Sequence, residues 1–197
     1  TDKPAVKGWQ KVVDMMEKAE IPFAVTMGNH DAENLSEDSI YHILCQSRLF
    51  IGEKGPEALS GTGNYILPVY ASDGTDKVNA LLYCMDSNDY TPDSEKYGKY
   101  AWMDWGQINW YREQSEAYAE KNQGQPLPAL AFFHIGFPEY KHLQVPDKMY
   151  GHLGENGGFP KINSGMFSAM IEKGDVMGVF VGHDHDNDYI GQKYDIA

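Results

Sequence analysis

The sequence predicts a layered α/β domain with at least one mixed sheet. Three apolar runs, residues 21–27, 129–133 and 176–181, are rich in β-branched and aromatic side chains and read as buried strands. Helical periodicities lie between these runs, so strand and helix alternate. A further pair of strands, joined by a short glycine-containing loop, inserts an antiparallel hairpin in the middle of the chain.

The elements follow in order. Val6, Trp9, Val13 and Met16 recur on one face of a first helix, which Thr1 or Asp2 caps and which stops before Pro22. The run 21–27 then delivers Gly28-Asn29-His30-Asp31 at its end. Ser36 opens a second helix, with Glu37 and Asp38 in the first turn, where carboxylates suit the helix dipole. Strands over 64–71 and 78–85 flank the loop Ser72-Asp73-Gly74-Thr75-Asp76, and the second ends in Asp86-Ser87-Asn88-Asp89, a polar end better suited to capping than to chemistry.

Residues 93–100 read as loop. Trp105, Ile108, Tyr111 and Tyr118 mark one face of a helix ending near Gly124, with Pro126 and Pro128 preventing its continuation. The run 129–133 delivers His134. A long glycine-rich loop over 135–160 follows, carrying Glu139, Tyr140, His142 and His152, for each of which a plain surface role is the expectation. Asn163 or Ser164 caps a short helix with Met166, Phe167, Met170 and Ile171 inward and Gly174 at its end. The last strand delivers Gly182-His183-Asp184-His185.

With 197 residues the chain is one domain by size, large enough for a substantial core. A net charge of −13 argues against general affinity for nucleic acid or acidic membrane surfaces. It leaves a phosphate substrate open, because bound divalent metals dominate a local field. No apolar run has the length of a membrane span. Cys45 and Cys84 are expected to be two buried thiols, not a disulfide. The chain opens on Thr1 and is expected to be a processed or trimmed product, soluble, with a lean toward an exported or periplasmic setting.

Three buried strands that each end in metal-capable side chains form one constellation. His134 alone after an apolar run reads as a hydrogen-bonded core histidine, and Gly28-Asn29-His30-Asp31 alone as a turn. Arriving together at strand ends, they read as a site. His183 and His185 stand two residues apart past a strand end, and the pair is expected to serve two different metals.

The ordered blocks GNHD, a lone His after a strand, and GHxH resemble those of the calcineurin-like metallophosphoesterases. Ser60-Gly61-Thr62-Gly63-Asn64-Tyr65, Phe132-Phe133-His134-Ile135 and Ile162-Asn163-Ser164-Gly165-Met166-Phe167 resemble the purple acid phosphatase-like branch. The resemblance implies a four-layer αββα sandwich of two mixed sheets flanked by helices. It implies a phosphatase with a binuclear centre of divalent or trivalent ions (Fe, Mn or Zn) that makes hydroxide for in-line attack on a phosphate ester. By resemblance Asn29, His134 and His183 match ligands of one metal and His185 a ligand of the other. His30 matches the histidine that stabilises the phosphate or protonates the leaving oxygen, and Asp31 orients it.

The family's opening D-x-H and G-D strand ends do not occur before Gly28, so the bridging carboxylate and remaining ligands have no counterpart here. The chain as given is therefore expected to lack its N-terminal strands, to hold at most one metal, to hydrolyse esters at background rate, and to form a homodimer through the vacated sheet edge. A binding module on the same fold, without catalysis, is the alternative reading. A metallo-β-lactamase-like site fails, because Asn187 and Asp188 stand where its Asp and His belong.

Overall fold

The computed structural model describes residues 3–197. Helix α1 (Lys3–Ala19) buries Val13, with Trp9 and Met16 beside it, against helix α2 (Glu37–Leu44). Val6 stays exposed, and the proposed Thr1 or Asp2 cap lies outside the described residues. The Ser36 hydroxyl accepts from the Ser39 amide at 3.3 Å and starts α2 as its sequence required. Ile40, Tyr41, Ile43 and Leu44 complete a small core with Phe23 and Met27.

The segment 21–27 is extended but is not a strand. Only Phe23 forms a bridge, parallel to Phe50. Val25 is held instead by the Tyr65 hydroxyl, which donates to the Val25 carbonyl at 2.7 Å and accepts from its amide at 3.2 Å. A strand needs a neighbouring backbone, and here one phenol satisfies the polar groups that a neighbour would take.

The hairpin forms as expected. Strand β1 (Tyr65–Tyr70) pairs antiparallel with β2 (Val78–Cys84), from Tyr65 opposite Cys84 to Tyr70 opposite Val78. A four-residue helix α3 (Ser94–Tyr97), capped by Asp93, occupies part of the segment expected to be loop. Helix α4 (Trp105–Lys121) starts with a reciprocal Asp104–Gln107 cap and buries Ile108 and Tyr111. Trp105, expected inward, is 72% exposed, because the first residue after the cap points off the buried stripe.

Strand β3 (Ala129–Phe132) lies parallel to β2. Beyond two 3-10 turns comes β4 (Met149–Leu153), then helix α5 (Met166–Lys173) and strand β5 (Val176–Phe180), which lies parallel to β3. The mixed sheet has the order β1-β2-β3-β5. Asn163 and Ser164 do not cap α5. Gly165 does, with its amide on Asn163 Oδ1 at 3.0 Å, and Ile171 faces out.

Strand β6 (Asn187–Gly191) pairs antiparallel with β4 in a second, two-stranded sheet, neither strand being expected from the sequence. Gly151, at φ 127°, faces Tyr189 in that pairing, and an added Cβ there would strike the Asp188 carbonyl. A mixed α/β fold with two sheets and helices therefore stands, as the sequence predicted. Both thiols are free, but only Cys84 is buried; Cys45 closes α2 on the surface.

The larger core joins the mixed sheet to α4 and α5 through Leu81, Tyr83, Met85, Tyr111, Phe133 and Met170. Buried Asp175 at the start of β5 accepts from the Tyr83 hydroxyl at 2.9 Å and from the Tyr111 hydroxyl. Asp86, just past β2 and 3% exposed, takes the amides of Thr62 at 2.8 Å and Asn88 at 2.7 Å. It acts as the capping group its strand-end position suggests.

Burial pushes the Asp86 carboxyl up from 3.8 to about 6, against the lowering effect of the Thr62 and Asn88 amides. The folded chain then binds its proton more tightly than the unfolded one. The resulting stability is full below pH ~4 and is lost as pH rises to ~6, a change of about 3 kcal/mol. Urea midpoints across that window should show this fall, and Asp86→Asn should flatten it. An unchanged slope in the variant would assign the proton to another group.

Candidate metal centre

Residues 28–31 close a tight turn. The Asp31 amide donates to the Gly28 carbonyl at 3.0 Å, and the Gly28 amide donates back to Asp31 Oδ2 at 2.8 Å. The turn buries Asn29, which is 4% exposed. Its Nδ2 donates to the Tyr90 hydroxyl at 2.8 Å, and Oδ1 then stands 3.1 Å from His134 Nε2. His134 leaves the end of β3 and lies flat on Gly28, where an added Cβ would sit 3.0 Å from its ring atoms. His183, past the end of β5, brings Nδ1 to 3.2 Å from the same His134 Nε2.

His134 Nε2 thus faces two neighbours but carries one proton or one lone pair. One proton must serve both neighbours, whereas a cation among the three atoms satisfies every lone pair. Bonds of about 2.1 Å at first-row metals put adjacent donors ~3.0 Å apart at right angles and ~3.4 Å apart in a tetrahedron. The observed 3.1 and 3.2 Å fall in that interval. Burial lowers the pKa of both imidazoles from the ordinary histidine value, with Asp31 opposing at His134 and the His134 ring adding to the effect at His183. Neutral rings and an amide oxygen suit a divalent transition ion.

The donor set fits one cation. Among the described residues no group of three or more His, Cys, Asp or Glu side chains converges. His185 is exposed. Its amide is held by Glu155 Oε1 at 2.5 Å, which also takes the Asp186 amide at 2.9 Å. Asp184 braces the loop by accepting from the Gly158 amide at 2.8 Å and from Asn187 Nδ2 at 2.9 Å.

His30 stands at the open side of the turn. Asp31 does not orient its ring, because that carboxylate is engaged by Gly28; Glu33 does, with Oε1 at 2.5 Å from His30 Nδ1. An i,i+3 partner in a turn reaches back over the ring, while the adjacent residue points away. Of the four polar residues in the long loop, Tyr140 donates to the Val179 carbonyl and Glu139 accepts from Asn163. His142 and His152 are exposed.

Sequence reasoning missed a ribbon that crosses the site. Thr91 donates to Lys99 at 3.0 Å and Ala101 to Asp89 at 3.1 Å, so Tyr90 and Tyr100 face each other and stack at 6.0 Å. The Tyr100 ring meets His183 edge-on at 4.6 Å, and Tyr90 fixes the Asn29 amide. The only signal was the polar strand end before Tyr90.

Tyr90→Phe should weaken cation binding by about 10-fold, since it frees the Asn29 amide to rotate while leaving the ring stack in place. Calorimetric titration with zinc or manganese checks this. Affinity equal to that of the unaltered chain would show that burial alone orients Asn29.

The family model for calcineurin-like phosphoesterase matches residues 4–187. The chain is 31% identical to "Probable inactive purple acid phosphatase 14" of Arabidopsis thaliana over 191 residues, covering 89% of this chain and 48% of that one. It is 31% identical to "Probable inactive purple acid phosphatase 29" of the same plant, covering 88% and 48%. Against "Phosphatase DCR2" of Saccharomyces cerevisiae it is 30% identical, covering 86% and 30%. The chain spans about half the length of these plant relatives, and less of the yeast one. No solved structure matches.

Proposed function

Because this chain belongs to the calcineurin-like phosphoesterase family, we propose that it takes part in metal-dependent hydrolysis of a phosphate ester. The observation that carries this reading is the approach of Asn29 Oδ1 and His183 Nδ1, from distant parts of the sequence, to 3.1 and 3.2 Å from His134 Nε2. These atoms would hold a cation of the Fe, Mn or Zn class, with His185 offered toward a second. Bound cations of that kind neutralise phosphate charge and acidify water.

The chain's own residues do the rest. Gly28 lets the His134 ring lie against the turn, and Tyr90 keeps the amide oxygen of Asn29 inward. Glu33 engages His30 Nδ1, which leaves Nε2 as the ring atom able to hand a proton to a leaving oxygen. Asp31 acts through the turn and not through the imidazole.

Two observations favour the second reading, a binding module without catalysis. The described residues bring no carboxylate into the donor cluster, and two similar plant proteins carry the words "probable inactive" in their names. The sequence-based expectation of background turnover in these 197 residues rests on the D-x-H and G-D strand ends that do not occur before Gly28, and it is consistent with either reading.

An assay on the manganese-loaded chain with an aryl phosphate separates the two. In these 197 residues turnover at the metal-free blank is expected; in a longer chain that carries the family's D-x-H and G-D strand ends it should rise above the blank and fall about 10²-fold in His30→Ala, with cation affinity unchanged. A bound cation with turnover at the blank level in that longer chain would establish the binding module. Loss of the cation in His30→Ala would make that residue a ligand.

A further inference from the structure

We propose that Lys99 is a phosphate-recognition residue of this site, its ammonium held on the faces of Tyr90 and Tyr100 so that it takes a terminal oxygen of the ester's phosphate group. The inference rests on the phosphoesterase reading and adds a residue to it.

Lys99 Nζ lies 4.9 Å from the Tyr100 ring centre and 5.8 Å from that of Tyr90. Those two rings reach the metal-site side chains directly, Tyr100 by its edge contact with His183 and Tyr90 by its hydroxyl on Asn29. Lys99 is placed from both sides, since its carbonyl is also fixed by the Thr91 amide in the ribbon.

The manner of holding matters. Lys54, Arg112 and Lys173 each sit on a carboxylate, which cancels their charge locally. Among the described residues Lys99 has no such partner. An aromatic face attracts an ammonium through its quadrupole but supplies no opposite charge. The ribbon therefore keeps an exposed cation beside the site while leaving it free to meet an anion.

In a chain of net charge −13, with Asp31, Glu33, Glu155 and Asp184 all close to the donor residues, a phosphate needs such a group to approach. A lysine suits the task, being a compact point charge on a flexible stem that follows a tetrahedral anion.

The test titrates inorganic phosphate into the manganese-loaded chain by calorimetry at two salt concentrations. Lys99→Met should weaken binding about five- to tenfold and reduce its salt dependence, and Lys99→Arg should retain most of the affinity. Lys96→Met is the control, because that ammonium sits over Tyr97 at 4.7 Å, away from both site tyrosines, and should change nothing. Equal affinities for Lys99→Met and the unaltered chain would overturn the assignment while leaving the phosphoesterase reading standing. An equal loss in Lys96→Met would overturn it as a general charge effect. A chain that binds manganese but no phosphate would overturn both.

Discussion

His134→Ala is expected to abolish cation binding at the site. Its Nε2 is the vertex that both Asn29 and His183 face, so the substitution removes one donor and the alignment of the other two. Structural zinc sites gain about 10–16 kcal/mol from four ligands, or ~3 kcal/mol each, roughly 10²-fold in affinity for one ligand lost. Loss of alignment adds to that, so ~10³-fold weakening is expected. Circular dichroism should stay unchanged, because His134 lies beyond the last residue of β3. His185→Ala should spare this cation, since the His185 ring is exposed and, among the described residues, makes no hydrogen bond to any of the three donors. Unaltered zinc affinity in His134→Ala, or equal loss in His185→Ala, would dissolve the three-donor site.

The second large effect concerns stability. Asp175→Ala should destabilise the fold by about 3–5 kcal/mol, a large part of a domain's usual ~5–15 kcal/mol. Its carboxylate is buried and accepts from two phenols, those of Tyr83 on β2 and Tyr111 on α4. Removal leaves two hydroxyls in the core with only the Ser115 hydroxyl beside them, an unsatisfied one costing about 1–3 kcal/mol, and opens a small cavity. Burial, with Asp175 adding, already raises both phenols far above the ordinary tyrosine value, so neither escapes by ionising. A double change of Tyr83 and Tyr111 to Phe together with Asp175→Leu should recover much of the loss. Urea unfolding followed by tyrosine and tryptophan fluorescence measures all of these. A loss under 1 kcal/mol in Asp175→Ala would mean that water takes over the acceptor role.

What was legible in the sequence was mostly local. Ser36 announces α2, the loop with Gly74 announces the hairpin, and Gly174 ends α5, because each depends on residues within a turn of one another. Of the four candidate ligands, Asn29, His134 and His183 follow apolar runs and lie together in the structure, while His185 stays exposed. What failed depended on partners far away. Residues 21–27 have strand composition, but the pairing backbone is present only at Phe50. Strands β4 and β6 pair across more than 30 residues, with a glycine and several polar side chains hiding the alternation. Tyr90 meets Asn29 across 61 positions, and no short-range pattern marks it. Glu33 displaced Asp31 as the partner of His30 because turn geometry, and not adjacency, decides which carboxylate reaches the ring.

The suspension of Val25 from a single phenol has a dynamic consequence. Asn29 follows a segment with few backbone bonds, attached to the small helical core. His134 and His183 leave the hydrogen-bonded strands of the larger core. Amide exchange should therefore be fast at residues 24–27 and slow at 129–132, with the three donors straddling the boundary between two independently opening units. A cation bound there is a cross-link between them. It would slow exchange by its own binding free energy, RT ln(1 + [L]/Kd), in every opening that separates the donors, most visibly in the loose unit.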